Sequence, residues 1–148
     1  MMSLSKEAKL LCGITLLVVP TIMYGGWTLL GYLTHGGASP MPANLRLDDT
    51  QWALWRAGHA HAGVWTILSL LLQIFLDSAR VSTALKWVAR ISAPVGAVLL
   101  SAGFFGLAFS LAFRWLADLG ILAMLAALLI TAVGLLRSAY PVTDSPGA

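Results

Sequence analysis

The fold of this chain is decided by residues 52–76, which read WALWRAGHAHAGVWTILSLLLQIFL. The segment is apolar except for one arginine, two histidines and a few uncharged polar residues. A run of this length crosses the roughly 30 Å hydrocarbon core of a bilayer as a single helix. Ionisable groups at that depth are costly and by default mark a functional site. We therefore expect residues 56–63, RAGHAHAG, to form the site around which the chain is organised.

Composition places the whole chain in the same class. Hydrophobic residues make up 59% of it, charged residues 10%, and its mean hydropathy is +0.85. Soluble domains carry roughly 25% charged residues, so the composition predicts an integral membrane protein of one domain, with the lipid bilayer as its main partner. The net charge of +3 is too small and too scattered for a nucleic-acid surface.

Four apolar runs are visible, at about residues 10–33, 52–76, 88–113 and 116–136. None alternates polar with apolar residues as a barrel strand would, and backbone groups in lipid must be satisfied internally. The predicted fold is therefore an all-α bundle of four transmembrane helices. Asp49 or Thr50 is expected to cap the second helix. The third and fourth helices are expected to be antiparallel neighbours, because almost nothing separates them, and the polar tail 141–148 is expected to be disordered.

Lysine and arginine counts predict the orientation. Six of the nine basic residues collect on one side, and the other three collect opposite: Lys6, Lys9, Arg80, Lys86, Arg90 and Arg137 against Arg46, Arg56 and Arg114. The larger group is expected in the cytoplasm. This predicts a multi-pass protein of the cell inner (plasma) membrane, with both termini cytoplasmic and residues 56–63 near the outer leaflet.

Helix geometry constrains the two histidines in RAGHAHAG. Successive residues turn by about 100°, so His59 and His61 lie about 200° apart and face opposite sides. Helical zinc pairs are usually spaced four residues apart, so these two imidazoles do not readily share one metal ion on a regular helix. Each is instead expected to face a different neighbouring helix and find its own partner there.

Ionisable residues near the same predicted depth form the candidate site: His35, Asp48, Asp49, Arg56, His59, His61, Arg114 and Asp118. One hypothesis is cofactor binding by His59, His61 and His35, with haem or a transition metal bound and with His59 and His61 as metal ligands. Arg56, Asp118, Arg114 and Asp49 would then be supporting polar groups. The alternative is that the histidines hydrogen-bond across helices and hold the bundle together.

Other polar positions also have two interpretations. Arg56 can extend to the outer headgroups, and Arg114 with Asp118 can form a surface pair at i, i+4 spacing. Asp77 is expected to be solvated at the end of the second helix. Gly25 and Gly26 predict a packing or bending site. Three polar residues that follow the histidines along the second helix form either a proton path or ordinary interhelical hydrogen bonds: Thr66, Ser69 and Gln73.

The segment RAGHAHAG resembles one found in small bacterial integral membrane proteins of four helices, a family without an established activity. It is also loosely similar to the His-x-His pattern of haem-copper oxidase catalytic subunits, whose further histidines this chain lacks, so no ligand is transferred from them. The resemblance implies a site at this segment and does not identify its chemistry.

Two functional classes follow. The first is a redox or ligand-binding membrane protein that uses the histidines, with haem or a metal ion as its cofactor. The second is a non-catalytic subunit or small transporter component, in which the same histidines pack helices or respond to pH. Because so small a chain exposes much helix surface, a homo-oligomer or a larger membrane complex is also expected.

Overall fold

The computed structural model describes residues 4–34 and 47–140, and within these ranges the chain forms four long helices and no strand. They are α1 (Lys6–Thr34), α2 (Asp49–Ser78), α3 (Thr83–Leu107) and α4 (Arg114–Ala139), with a 3₁₀ turn (Leu111–Phe113) before α4. Each helix is long and apolar enough to cross a membrane. The all-α, four-helix prediction is confirmed, and the side on which the termini lie stays a prediction. His35, Arg46 and the tail 141–148 lie outside the described residues.

Side-chain caps fix where two of the helices begin. The Asp48 carboxylate accepts a hydrogen bond from Gln51 N at 2.8 Å, and the Gln51 side chain accepts one from Asp48 N at 2.9 Å. This reciprocal capping box places the cap of α2 one residue before the predicted Asp49. Ser82 Oγ accepts from Leu85 N and caps α3. Helix α3 therefore begins at Thr83, five residues before the apolar run.

The end of α3 also differs from the prediction. The helix stops at Leu107, although the apolar run continues to residue 113. The amides of Phe109 and Ser110 both donate to Gly106 O and close a turn, and the ring of Phe113 folds back against Gly106. Hydropathy cannot distinguish this apolar turn from a continuing helix.

Small residues bring α3 and α4 into close contact, as expected for two antiparallel neighbours. A Cβ at Gly103 would lie 2.5 Å from Ala117 N, and a Cβ at Gly96 would lie 2.9 Å from Gly120 O. Small residues drive helix association where no water is expelled. Gly103 lies on the buried face of α3, whereas its neighbour Ala102 is exposed.

Helix α2 is the centre of the bundle, because it contacts the other three helices. Helix α1 packs almost only on α2 and hardly approaches α3, which leaves a groove between α1 and α3 with α2 as its floor. We call the two ends of the bundle the termini end, where Ser138 Oγ donates to Ser78 O, and the loop end, where Gln51 Nε2 donates to Ala108 O.

Candidate functional site

His59 lies in a small pocket at the loop end of the groove. Its imidazole sits against Gly26 of α1, where an added Cβ would be 2.6 Å from His59 Nε2. The Gly25–Gly26 pair is thus a packing site, and the absence of side chains there makes room for the ring. The His59 pocket has a volume of about 250 Å³ and is lined by Tyr24, Gly25, Thr28, Leu29, Tyr32, Trp55, His59 and Phe105.

Among the described residues, the lining of the His59 pocket is mainly aromatic, with a few polar groups and no Asp, Glu, Lys or Arg. Trp55 packs edge-to-face on Phe105, with ring centroids 6.1 Å apart. Its indole Nε1 is buried and has no hydrogen-bond partner in the described part of the chain. An indole N–H is a donor only, so a residue of the pocket wall carries a buried donor that has no acceptor among residues 4–34 and 47–140.

His61 faces α3 and its surroundings are different. Its ring stacks on Phe104, with centroids 4.5 Å apart and an interplanar angle of 28°. His61 Nδ1 lies 2.7 Å from Ala57 O. Because a carbonyl oxygen only accepts, Nδ1 must carry the proton. The prediction that the two histidines face different helices is confirmed, and the contacts of His61 are those of a packing residue.

The other predicted site residues do not gather around His59. Asp48 and Asp49 are exposed at the start of α2, and Arg56 is exposed one turn before His59. Arg114 Nε and Asp118 Oδ2 are 3.6 Å apart, and their side chains are 76% and 58% exposed, so the surface-pair interpretation is confirmed. Within residues 4–34 and 47–140, no three His, Cys, Asp or Glu side chains are grouped so that they could hold a metal ion.

A buried ionic cluster at the termini end escaped the sequence interpretation. Arg90 Nη2 lies 2.5 Å from Asp77 Oδ1, and the two side chains are only 5% and 15% exposed. Ser5 donates to both carboxylate oxygens, through its backbone N at 2.8 Å and its hydroxyl at 2.7 Å. The expectation that Asp77 is merely solvated is wrong, because it joins the start of α1 to α3. We call Ser5, Gln73, Asp77 and Arg90 the Asp77 cluster.

Pro94 explains why Gln73 belongs to this cluster. Proline has no N–H, so the carbonyl four residues earlier in the helix, that of Arg90, loses its normal donor. Gln73 Nε2 of α2 replaces that donor and lies 2.8 Å from Arg90 O. The Gln73 side-chain oxygen in turn accepts from Arg90 Nη1 at 3.2 Å. Both ends of the buried amide are satisfied, as ordinary interhelical bonding requires.

The groove between the His59 pocket and the Asp77 cluster contains a further cavity of about 310 Å³. Thr66 and Ser69 of α2 line it, and Thr15 contributes from α1. These positions share a face of α2 with His59 and Asp77, since 59, 66, 69, 73 and 77 fall within about 80° at 100° per residue. One polar stripe therefore runs along α2, and three distinct environments follow each other along it.

Comparison with known proteins gives no further identification: no protein family matches the chain, and no curated protein or solved structure matches it.

Proposed function

We propose that the protein is a multi-pass plasma-membrane protein, with both termini cytoplasmic, that binds a small uncharged organic molecule in the His59 pocket. One observation carries the proposal: the unpartnered, buried N–H of Trp55 in an aromatic pocket that also contains His59. A ligand-binding pocket is usually apolar with a few convergent polar groups. The pocket supplies aromatic faces for a ring, and Trp55 in its wall supplies a donor for an acceptor atom on that ring.

The charges and the histidine geometry favour this ligand over haem or a metal ion. No charged side chain of the described residues lines the pocket, so these residues offer no counter-ion to a charged ligand. His59 and His61 face different helices, and His61 Nδ1 already bonds to Ala57 O. One metal ion bound by both rings would require at least one of them to leave the helix it packs against. We therefore expect the purified protein to show no Soret band and no stoichiometric metal. The presence of a Soret band or of a stoichiometric metal would contradict the proposal.

The direct test uses 4-fluoroacetophenone, a neutral ring with a carbonyl acceptor, titrated into the full chain in phosphatidylcholine nanodiscs and followed by ¹⁹F NMR. Trp55→Phe keeps an aromatic ring and removes the N–H. We expect it to weaken binding by about 3- to 10-fold, since a net hydrogen bond is worth about 0.5–1.5 kcal/mol. Trp65→Phe is the matched control, because Trp65 Nε1 is also buried and unpartnered but lies outside the pocket.

Three results would refute the proposal. Binding that is equal for Trp55→Phe and Trp65→Phe would show that the Trp55 donor is not used. Binding of 4-fluorotoluene as tight as that of 4-fluoroacetophenone would show that no acceptor is recognised. The absence of saturable binding of either probe would remove the pocket as a site.

A second candidate function is that of a subunit in a homo-oligomer or larger membrane complex. The observation in its favour is the exposure of α1. In the apolar 18-residue window of this helix, only 6% of the residues are buried against the rest of the chain. Native mass spectrometry of the protein released from nanodiscs tests it. A monomer alone would contradict self-association, and co-purification of a stoichiometric partner from the host membrane would support the larger complex.

A further inference from the structure

Five serine and threonine residues are buried in the described chain. They divide into two groups by the hydrogen bonds of their hydroxyls: the first is Ser101 and Thr131, and the second is Thr15, Thr66 and Ser69. Serine and threonine in helices commonly donate to the carbonyl four residues earlier. Ser101 does so at 2.8 Å and Thr131 at 2.7 Å. The other three form no such bond, and all three line the same groove cavity.

Ser69 is the clearest member of the second group. Its residue is 0% exposed, and its Oγ has no hydrogen-bond partner among the described residues. A buried hydroxyl without a partner costs about 1–3 kcal/mol in proteins, and in lipid no water is available to supply one. Thr15 and Thr66 are each 7% exposed and line the same cavity as Ser69. The cavity wall therefore contains three buried hydroxyl-bearing residues, and one of their hydroxyls, Ser69 Oγ, has no partner among the described residues.

We propose that this cavity is a second binding site, for an uncharged, lipid-soluble molecule that bears a carbonyl oxygen, such as a quinone. The carbonyl oxygen has two lone pairs and no proton, so it can accept from two of the three hydroxyls at once. No charged side chain from the described segments lines the cavity, and the rest of its wall is aliphatic, with residues such as Ile14, Pro94 and Val98. The groove between α1 and α3 gives the ligand a path from the lipid.

This site is separate from the His59 pocket. The two cavities have no lining residue in common. Their positions on α2 are also far apart, since the ten residues from His59 to Ser69 span about 15 Å at 1.5 Å per residue. The inference does not depend on the proposed function, and each can fail while the other holds.

The test is a titration of the full chain in phosphatidylcholine nanodiscs with decylubiquinone, followed by native mass spectrometry. The variant Thr66→Val/Ser69→Ala removes the hydroxyls of two residues that line the cavity and nearly preserves side-chain volume. The matched control is Thr131→Val/Ser101→Ala, which removes two buried hydroxyls that already bond to carbonyls. We expect the first variant to weaken binding by about 5-fold or more, as the loss of two net hydrogen bonds implies, and the control to bind as the wild type does.

Stability of the ligand-free protein provides a second measurement. Removal of an unsatisfied hydroxyl is neutral or stabilising, so Thr66→Val/Ser69→Ala is expected to melt at or above the wild-type temperature, and the control slightly below it. The inference is overturned if the groove variant melts lower than the control, because its hydroxyls would then already be satisfied. It is equally overturned if decylubiquinone does not bind, or if 1-phenyldecane, which has no carbonyl oxygen, binds as tightly as decylubiquinone. A third contradicting result is that only Trp55→Phe weakens quinone binding, which would place the quinone in the His59 pocket.

Discussion

Replacing Asp77 with asparagine tests whether the ionic cluster at the termini end holds the bundle together. The change keeps the shape of the side chain and one acceptor oxygen for Ser5. It removes the charge that faces Arg90, whose side chain is 5% exposed. An arginine cannot lose its proton to relieve the mismatch, so the variant leaves a buried cation without its counter-charge.

The magnitude follows from the burial of the pair. Removing one partner of a fully buried ion pair costs about 3–5 kcal/mol. The Asp77 side chain is 15% exposed and the amide oxygen still accepts hydrogen bonds, so the expected loss lies near or below the lower limit, at about 2–3 kcal/mol. Asp118→Asn is the matched control. The Arg114–Asp118 pair is largely exposed, and such pairs contribute below about 1 kcal/mol.

The assay is the free energy of unfolding in mixed micelles, from titration with sodium dodecyl sulfate followed by circular dichroism. Arg90→Met and the double variant Asp77→Asn/Arg90→Met complete a mutant cycle. Removing both charges avoids a lone buried ion. We therefore expect the two substitutions to be non-additive. The loss in free energy of unfolding for the double variant should be smaller, by about 2 kcal/mol or more, than the sum of the losses for the two single variants.

Two results would refute this reasoning. If Asp77→Asn loses no more stability than Asp118→Asn, the cluster does not stabilise the fold. If the losses of the cycle add within about 0.5 kcal/mol, as they do for independent sites, Asp77 and Arg90 are not coupled and their short contact carries no net energy.

Two further predictions address α1 and the topology. Gly26→Ala is expected to displace the His59 imidazole and weaken 4-fluoroacetophenone binding, because its Cβ would overlap the ring. Gly13→Ala is the control: its Cβ has open space, and the variant is expected to stabilise α1 by up to about 1 kcal/mol through helix propensity. Equal binding of 4-fluoroacetophenone by both variants would contradict the placement of His59. A C-terminal alkaline phosphatase fusion is expected to be inactive and a C-terminal green fluorescent protein fusion to be fluorescent, as cytoplasmic termini require, and the reverse pattern would overturn the predicted orientation.

The helices were predictable from the sequence because the physics that sets them is local. A bilayer requires long apolar runs with internal hydrogen bonds, and these runs are visible residue by residue. The separation of His59 from His61 was predictable for the same reason, since it depends only on the turn per residue of one helix. Asp48 as the cap of α2 was missed by one residue, within the usual uncertainty of helix ends.

The Asp77 cluster was not predictable by the same route, for two physical reasons. The polar first turn of α3, from Thr83, does not belong to the apolar run, so Arg90 was assigned near a helix end when it lies about two turns inside. The partners of Arg90 are Ser5, directly before α1, and Gln73 and Asp77 of α2. Their approach is set by helix packing, which no local pattern encodes. One signal was present: Pro94 must leave the carbonyl of Arg90 without its helical donor, and Gln73 was the long buried amide able to replace it.

Hydrogen-bond saturation separates the structural polar groups on α2 from those that point to ligands. Composition and spacing do not distinguish these two kinds of residue, because both are polar side chains on one face of an apolar helix. At the termini end, Gln73 and Asp77 are bonded to Arg90, which leaves them little capacity for a ligand. The buried Arg90 of α3, which contacts the stripe at Gln73 and Asp77, also opposes the passage of cations, which argues against a proton path through that end. Ser69 and Trp55 each have a buried donor without a partner among the described residues, and so does Trp65, which lines neither cavity. Such a donor costs free energy in the empty protein, but it indicates a ligand only at Ser69 and Trp55, where a cavity adjoins the residue.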